Sequence, residues 1–210
     1  MDKYNYENLN EKEKRILDVA IKIFSEKGFN ATSTNEIAKK AKVAEGTIFR
    51  YFKTKKGILR GIMIQLINIF SDKLVFSSIE KIFKNSDDKD LRIILKEILV
   101  DRVNLVDKIF PMARIVLIES IYQEEIREAL FENIIKKALE MYGEFHLEMQ
   151  NKNKIRKEID ADVALRLIVA NIMIFIGQRK LYKDNFNLKD DDIEKDIDVI
   201  IDLIMRGISC

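Results

Sequence analysis

Residues 34–55 read TNEIAKKAKVAEGTIFRYFKTK. Ile37, Ala38, Ala41, Val43, Ile48 and Phe52 recur at helical spacing and can close a small core. Between them stand side chains suited to a nucleic-acid surface: Thr34, Thr47, Arg50, Tyr51 and Lys55. The stretch predicts a short helix over Asn35–Ala41, a turn at Lys42-Val43-Ala44, and a second short helix over Glu45–Phe52. That is the layout of a helix-turn-helix, whose second helix enters the major groove of DNA.

Each polar position has a chemistry to offer. Ser33 or Thr34 caps the first of the two helices, because a side-chain oxygen there satisfies an orphan backbone N–H. Together with Asn35, that helix start suits a phosphate, since free N–H groups and the helix dipole favour an anion. Ala44 closes the turn, and Gly46, without a side chain, lets the backbone approach a duplex closely. Thr47 can donate to phosphate or touch a thymine methyl, and Arg50 can fork onto guanine O6/N7 or clamp a phosphate. Tyr51 offers a hydroxyl to the DNA backbone. Glu45 either accepts from cytosine N4 or caps its own helix. Phe49 either belongs to the contact surface or packs inward. Lys55, in the first turn of the next helix, is expected to reach the phosphates of the second strand.

Charge points the same way. Residues 1–60 carry 14 Lys and Arg against 8 Asp and Glu, whereas the remainder carries 23 against 27. The net charge of +2 therefore conceals a basic head on an acidic body. Such a head attracts phosphate and releases counterions on contact.

The run Ile16–Leu59, ILDVAIKIFSEKGFNATSTNEIAKKAKVAEGTIFRYFKTKKGIL, resembles the N-terminal domain of the TetR/AcrR family of bacterial transcriptional regulators. The resemblance is carried by Lys27-Gly28-Phe29, by the helix start at Thr34 with Ile37-Ala38, by Gly46-Thr-Ile-Phe-x-Tyr-Phe52, and by Lys55 three residues beyond. Family members usually have Gly where Lys42 stands and often Tyr where Phe49 stands. If Lys42 takes positive φ, the turn is strained by roughly 1–2 kcal/mol. The resemblance implies a DNA-binding domain over 1–58, an effector-binding and dimerisation domain over 59–210, and a long fourth helix that links them as a lever.

The rest of the chain is read more coarsely. It has 210 residues, 47% hydrophobic and 34% charged, with one Pro and seven Gly. That composition, with long apolar-periodic runs, predicts an all-α fold of about nine helices. The first helix spans Glu11–Lys27. The fourth runs from a cap at Thr54 to Phe83, with a polar break at Asn85–Asp88. Pro111 is expected to start a new helix, which separates helix five (Asp90–Lys108) from helix six (to Tyr122). Helix seven covers Glu124–Asn151. Helix eight runs from Asp160 to Tyr182, and helix nine from Asp190–Asp192 to Arg206.

No glycine-rich phosphate loop, nucleophile elbow or paired Cys/His spacing occurs, so neither an enzyme nor a cofactor or metal site is expected. The lone His146 is read as structural or surface-borne, and Cys210 as an exposed bystander. One cysteine and no apolar leader segment fit a reducing cytoplasm. The most apolar run, Val163–Ile176, is too short for a bilayer and carries Arg166 and Asn171, so a core helix that also meets a partner subunit is expected, with no membrane partner. Phe175, Ile176, Gly177, Ile200 and Leu203 are candidates for a homodimer interface. A pocket for a hydrophobic or amphipathic effector is expected near Phe76, Phe110, Met112, Met141, Phe145 and Met149, with Arg102, Arg114 and Asn171 to orient a ligand.

The expectation is a homodimeric regulator of double-stranded operator DNA, released by a small-molecule effector and acting as a repressor. Two other readings stay open: a DNA-binding regulator without effector, or an activator; and a helical lipid- or small-molecule-binding protein whose basic head docks to anionic surfaces.

Overall fold

A computed structural model describes residues 9–71, 73–85, 89–182, 185 and 193–209. Among these, nine helices follow one another: α1 (Glu11–Lys27), α2 (Thr34–Lys40), α3 (Glu45–Phe52), α4 (Lys55–Ser71), α5 (Lys73–Lys84), α6 (Leu91–Tyr122), α7, α8 (Ala161–Leu181) and α9 (Ile193–Ile208). The seventh, α7, runs from Glu124–Leu130 through a π-helical turn at Phe131–Ile135 into Lys136–Asn151. The expected all-α fold is the observed one. Cys210, the N-terminal lead-in before residue 9, residues 86–88 of the expected polar break and the expected start of the last helix at Asp190–Asp192 lie outside the described residues.

By packing, the chain divides into two units, one of residues 1–74 with 109–135 and the other of 75–108 with 136–210. In the first unit, Asn10 starts α1 with a capping box. Its Oδ1 accepts from the N–H groups of Lys12 and Glu13 at 3.0 and 3.1 Å, and Glu13 accepts from the Asn10 N–H at 3.1 Å. Gly28 ends α1 at φ 86°, a conformation that favours glycine. Ile16, Leu17 and Ile23 of α1, Ile37 of α2, Ile48 and Phe52 of α3, and Ile58, Leu59 and Ile62 of α4 form a closed core, each at most 1% exposed. The predicted apolar spacing of α2 and α3 thus has its partners in α1 and α4.

Two turns fix the angle between these helices. At the α2–α3 turn, Val43 N–H donates to the Ala38 carbonyl at 3.0 Å and Lys42 N–H to Lys39 at 3.2 Å, the paired bonds of a Schellman stop. Lys42 holds φ at 53° in the position that usually takes glycine. At the α3–α4 turn, Lys53 sits at φ 64° while Thr54 N–H bonds the Phe52 carbonyl at 2.7 Å, a strained γ-turn. Thr54 Oγ1 then caps α4 by accepting from Gly57 N–H at 3.0 Å. A β-carbon on Gly57 would lie 1.8 Å from the Phe52 carbonyl oxygen, so the turn requires glycine there.

The expected helix start at Pro111 is not observed: α6 runs unbroken for 32 residues with Pro111 inside it. Proline removes one hydrogen bond, to the Asp107 carbonyl, at a cost of about 3 kcal/mol. Both residues lie on an exposed side, where water can serve that carbonyl, and the buried Ile109 and Ala113 hold the helix on either side of the ring. The long helix expected from Thr54 to Phe83 is described as α4 and α5, with residue 72 between them outside the described set.

In the second unit, the rings of Phe83 and Phe145 stack 4.2 Å apart at 8°, and Met149 is fully buried. The polar link after α7 is tied down by side chains. His146 Nε2 lies 2.8 Å from the Ile159 carbonyl, so the ring donates there, and Gln150 Nε2 donates to Arg156 and Ile159 carbonyls, both at 3.0 Å. His146 is 2% exposed beside Tyr142, whose phenol burial pushes well above its usual range. Its place is structural.

Candidate nucleic-acid interface

The outer side of α3 carries the side chains that sequence singles out. Ile48 and Phe52 are buried, while Phe49, 45% exposed, points away from the core. Of the two readings left open for Phe49, inward packing is therefore not what the structure has. Arg50 is exposed, and its Nη2 donates to the Tyr51 hydroxyl at 2.6 Å, with the guanidinium 4.7 Å from the Tyr51 ring centre. That contact leaves the Tyr51 hydroxyl proton available to an acceptor outside the protein and holds the planar guanidinium on a rigid support. Thr47 is half-buried, and a β-carbon on Gly46 would meet nothing within 4 Å.

Glu45 has two partners that sequence did not suggest. Its Oε1 accepts from Thr34 Oγ1 at 2.6 Å and its Oε2 from Asn35 Nδ2 at 3.2 Å. These hydrogen bonds, from Thr34 first, hold its carboxyl below the usual range. The carboxylate thus ties the first turn of α2 to that of α3, rather than capping α3 or standing free to meet a base. Thr34 uses its only hydroxyl proton in this bond. Ser33 is the cap of α2: its Oγ accepts from Glu36 N–H at 3.1 Å. Ala44 is the cap residue of α3 and offers no side-chain bond. Glu36 in turn pairs with Lys27 at 2.6 Å and Lys40 at 3.8 Å, and the hydrogen bond from Lys27 holds its carboxyl low.

Lys55 does not extend outward. Its ammonium bonds the carbonyls of Phe29 at 2.9 Å, Thr32 at 2.9 Å and Asn30 at 3.4 Å, and lies 4.4 Å from the Phe29 ring centre. The expected reach to phosphate meets an ammonium whose donors are already used. Sequence gives no signal for this, because the acceptors are backbone atoms 23 to 26 residues away.

The expected pocket residues occupy varied surroundings. Phe76, Phe145 and Met149 are buried in the second unit, and Met141 is half-buried there. Lys137 sits 4.4 Å from the Phe76 ring centre, and Asn171 donates to its own helix at the Leu167 carbonyl, 2.7 Å away. Phe110 and Met112 are half-buried in α6, in the first unit. The cleft of ≈ 210 Å³ in the first unit, whose walls include Phe24, Phe29 and Glu119, takes in Arg114 of the expected ligand-orienting residues but none of the apolar ones and not Asn171.

Of the expected interface residues, Phe175 and Ile176 are buried within the chain itself at 7% and 2% exposure, Gly177 and Ile200 are half-exposed, and Leu203 is 66% exposed. Sequence reasoning missed a row on α8. Val163, Leu167, Ala170, Ile174 and Leu181 are all exposed, with Gly177 half-exposed between the last two. They alternate steps of four and three residues, a pattern the sequence already held and one suited to a helix partner. By length and mean hydropathy, 1.6, α8 could cross a membrane. Its opposite face, Ala164, Ile168, Ile172, Phe175 and Ile176, is packed on protein.

Residues 16–62 match the family model TetR_N, bacterial regulatory proteins of the tetR family. The chain is 29% identical over 143 residues to the HTH-type transcriptional regulator YuxN of Bacillus subtilis, a match covering 64% of this chain and 47% of that protein. It therefore spans about half the length of that relative. It is 27% identical over 172 residues to the HTH-type transcriptional regulator AcrR of Shigella flexneri, covering 78% of this chain and 69% of the relative. The transcriptional regulator FadR of Bacillus subtilis, solved in complex with stearoyl-CoA, has the same fold at a TM-score of 0.65. It is 21% identical over 92% of this chain and 97% of its own. Each of these relatives is named as a transcriptional regulator.

Proposed function

We propose that this chain, whose residues 16–62 match the TetR_N model of bacterial regulatory proteins, is a ligand-responsive homodimeric repressor of the TetR family. Residues 1–58 bind operator DNA and residues 59–210 bind an effector and pair two subunits. The observation that carries the reading is the outer side of α3, where Phe49, Arg50 and Tyr51 face outward from buried Ile48 and Phe52 on a basic head. Ser33, Asn35, Thr47 and the open backbone at Gly46 complete the surface. Two such helices enter successive major grooves when they stand roughly 34–36 Å apart.

The exposed row of α8, with Val199 and Leu203 of α9 at 60% and 66% exposure, is the face we assign to the second subunit. Packing against a copy of itself removes this apolar surface from water, and a two-fold arrangement makes the row self-complementary. A bilayer would not suit the packed inner face of the same helix.

FadR binds stearoyl-CoA, and an amphipathic acyl ligand also suits the apolar side chains of the second unit here. Phe145 is stacked on Phe83, so an effector that entered between those side chains would part the two rings. It would then favour a body state distinct from the one shown, and would shift the population away from DNA binding to the extent that its affinities for the two states differ. The same stack supports a second reading, a regulator with a filled body and no effector.

Fluorescence anisotropy tests the proposal with the duplex flanking the protein's own gene and a scrambled control, across a salt series, with and without long-chain acyl-CoA. Saturable binding to the first duplex alone, weakened by Arg50→Ala and released by acyl-CoA, is expected. Release by no ligand, with no ligand-dependent thermal shift, leaves the effector-free regulator. Equal affinity for both duplexes and for heparin overturns the regulator reading in favour of a protein docking to anionic surfaces.

A further inference from the structure

We propose that Lys55 is a positioning residue for DNA binding: it clamps the α1–α2 loop onto α4 and so sets the start of the reading helix, without touching phosphate. The inference rests on the DNA-binding reading above. An ammonium has three protons, and three carbonyls converge on this one, from Phe29, Asn30 and Thr32. The side of the ammonium is covered by the Phe29 ring, itself held edge-on against Phe24 at 5.3 Å and 70°. Thr32 is 2% exposed, and its hydroxyl donates back to the Gly28 carbonyl at 2.9 Å, which closes the loop on itself.

The placement has a cost that the clamp offsets. The first turn of α4 has no acidic residue and carries Lys55, where the helix dipole disfavours a cation. Carbonyl oxygens gathered around the ammonium supply the negative potential that the helix end does not.

From the clamped loop a continuous path of bonds leads to α3. Residue 32 is followed by the α2 cap, Ser33, and then by Thr34, whose hydroxyl is held by Glu45 in the first turn of α3. The path joins α4, part of the helix that the resemblance implies is a lever, to the first turn of the helix proposed to read bases. Displacing the N-terminus of α4 pulls on three carbonyls of the loop that orients α2.

Lys55→Met and Lys55→Arg in the full chain test the assignment. Arginine keeps the charge, so it would preserve a phosphate contact, but its flat fork cannot serve three carbonyls converging on one point. Both variants are expected to bind the flanking duplex about tenfold more weakly, with the salt slope unchanged. Amide exchange at residues 29–34 of the DNA-free protein is expected to accelerate in both.

A contrary result is equally definite. Wild-type affinity in Lys55→Arg, together with a slope in Lys55→Met shallower by about 0.9 per subunit and unaltered loop exchange, overturns the clamp and restores a phosphate contact. Should Lys55→Met fail to fold, the Arg variant decides alone. Wild-type protein that binds neither duplex would sink the regulator reading, and the positioning role with it. The exchange data on the free protein show in that case whether the loop is nevertheless clamped.

Discussion

Lys42 holds φ at 53° on an exposed turn, bearing a β-carbon where none is wanted. Replacing it with glycine relieves roughly 1–2 kcal/mol of left-handed strain, partly offset by about 0.4–1 kcal/mol of extra unfolded-chain entropy. Lys42→Gly is therefore expected to raise stability by about 0.5–1 kcal/mol, read as a shift in the urea midpoint without a change in slope. Glu45 behaves differently, because its effect depends on charge. Bonds from Thr34 and Asn35 depress its folded-state pKa below 4.5. The stability it contributes is thus fully present above that value and is lost as pH falls through the depressed one. Glu45→Gln should be less stable than wild type at pH 6, and the gap should close as urea melts are repeated down to pH 3. A gap that persists at pH 3 would mean the carboxylate's charge is not what ties α2 to α3. Reading the motif's polar positions singled out Glu45 but not its partners, since a bond spanning 11 residues depends on the angle between two helices.

At the scale of elements, the turn between α3 and α4 allows little change. Gly57→Ala forces its β-carbon into the Phe52 carbonyl and must shift backbone, a loss expected above about 3 kcal/mol. Gly46→Ala meets open space and should leave thermal stability near wild type. Equal melting temperatures for the two variants would refute the account of the turn. α1, α2 and α3 were legible in advance because caps, stops and apolar spacing are local signals: Gly28 and Ser33 each act within four residues of themselves, whereas the Asn10 cap of α1 emerged only with the structure. Pro111 misled for the complementary reason. Proline's local preference is for a helix start, and only the burial of Ile109 and Ala113, invisible in sequence, shows why α6 continues through it. Periodicity likewise gave α7 its extent but not its π turn at Phe131–Ile135.

For the whole molecule, an apolar helix does not declare which of its faces meets its own chain. α8 is apolar on nearly all sides, so sequence could assign Phe175 and Ile176 to an interface as readily as to a core. The packing units likewise divide α6 and α7 between them, a division that no change of composition along the chain announces. Under the proposed assembly, Ile174→Glu with Leu203→Glu should leave helix content intact and convert a dimer of about twice the chain mass into monomer, measured by light scattering after size exclusion. Loss of DNA affinity should accompany it, because one reading helix then acts without the other. An unchanged mass would place the contact elsewhere. The exposed row on α8 also bears on gene dosage. Where subunits are mostly unpaired, the concentration of dimer follows the square of the chain's abundance, so halving expression removes about three-quarters of the active species. A promoter under such a protein would respond to its regulator's own supply more steeply than in proportion.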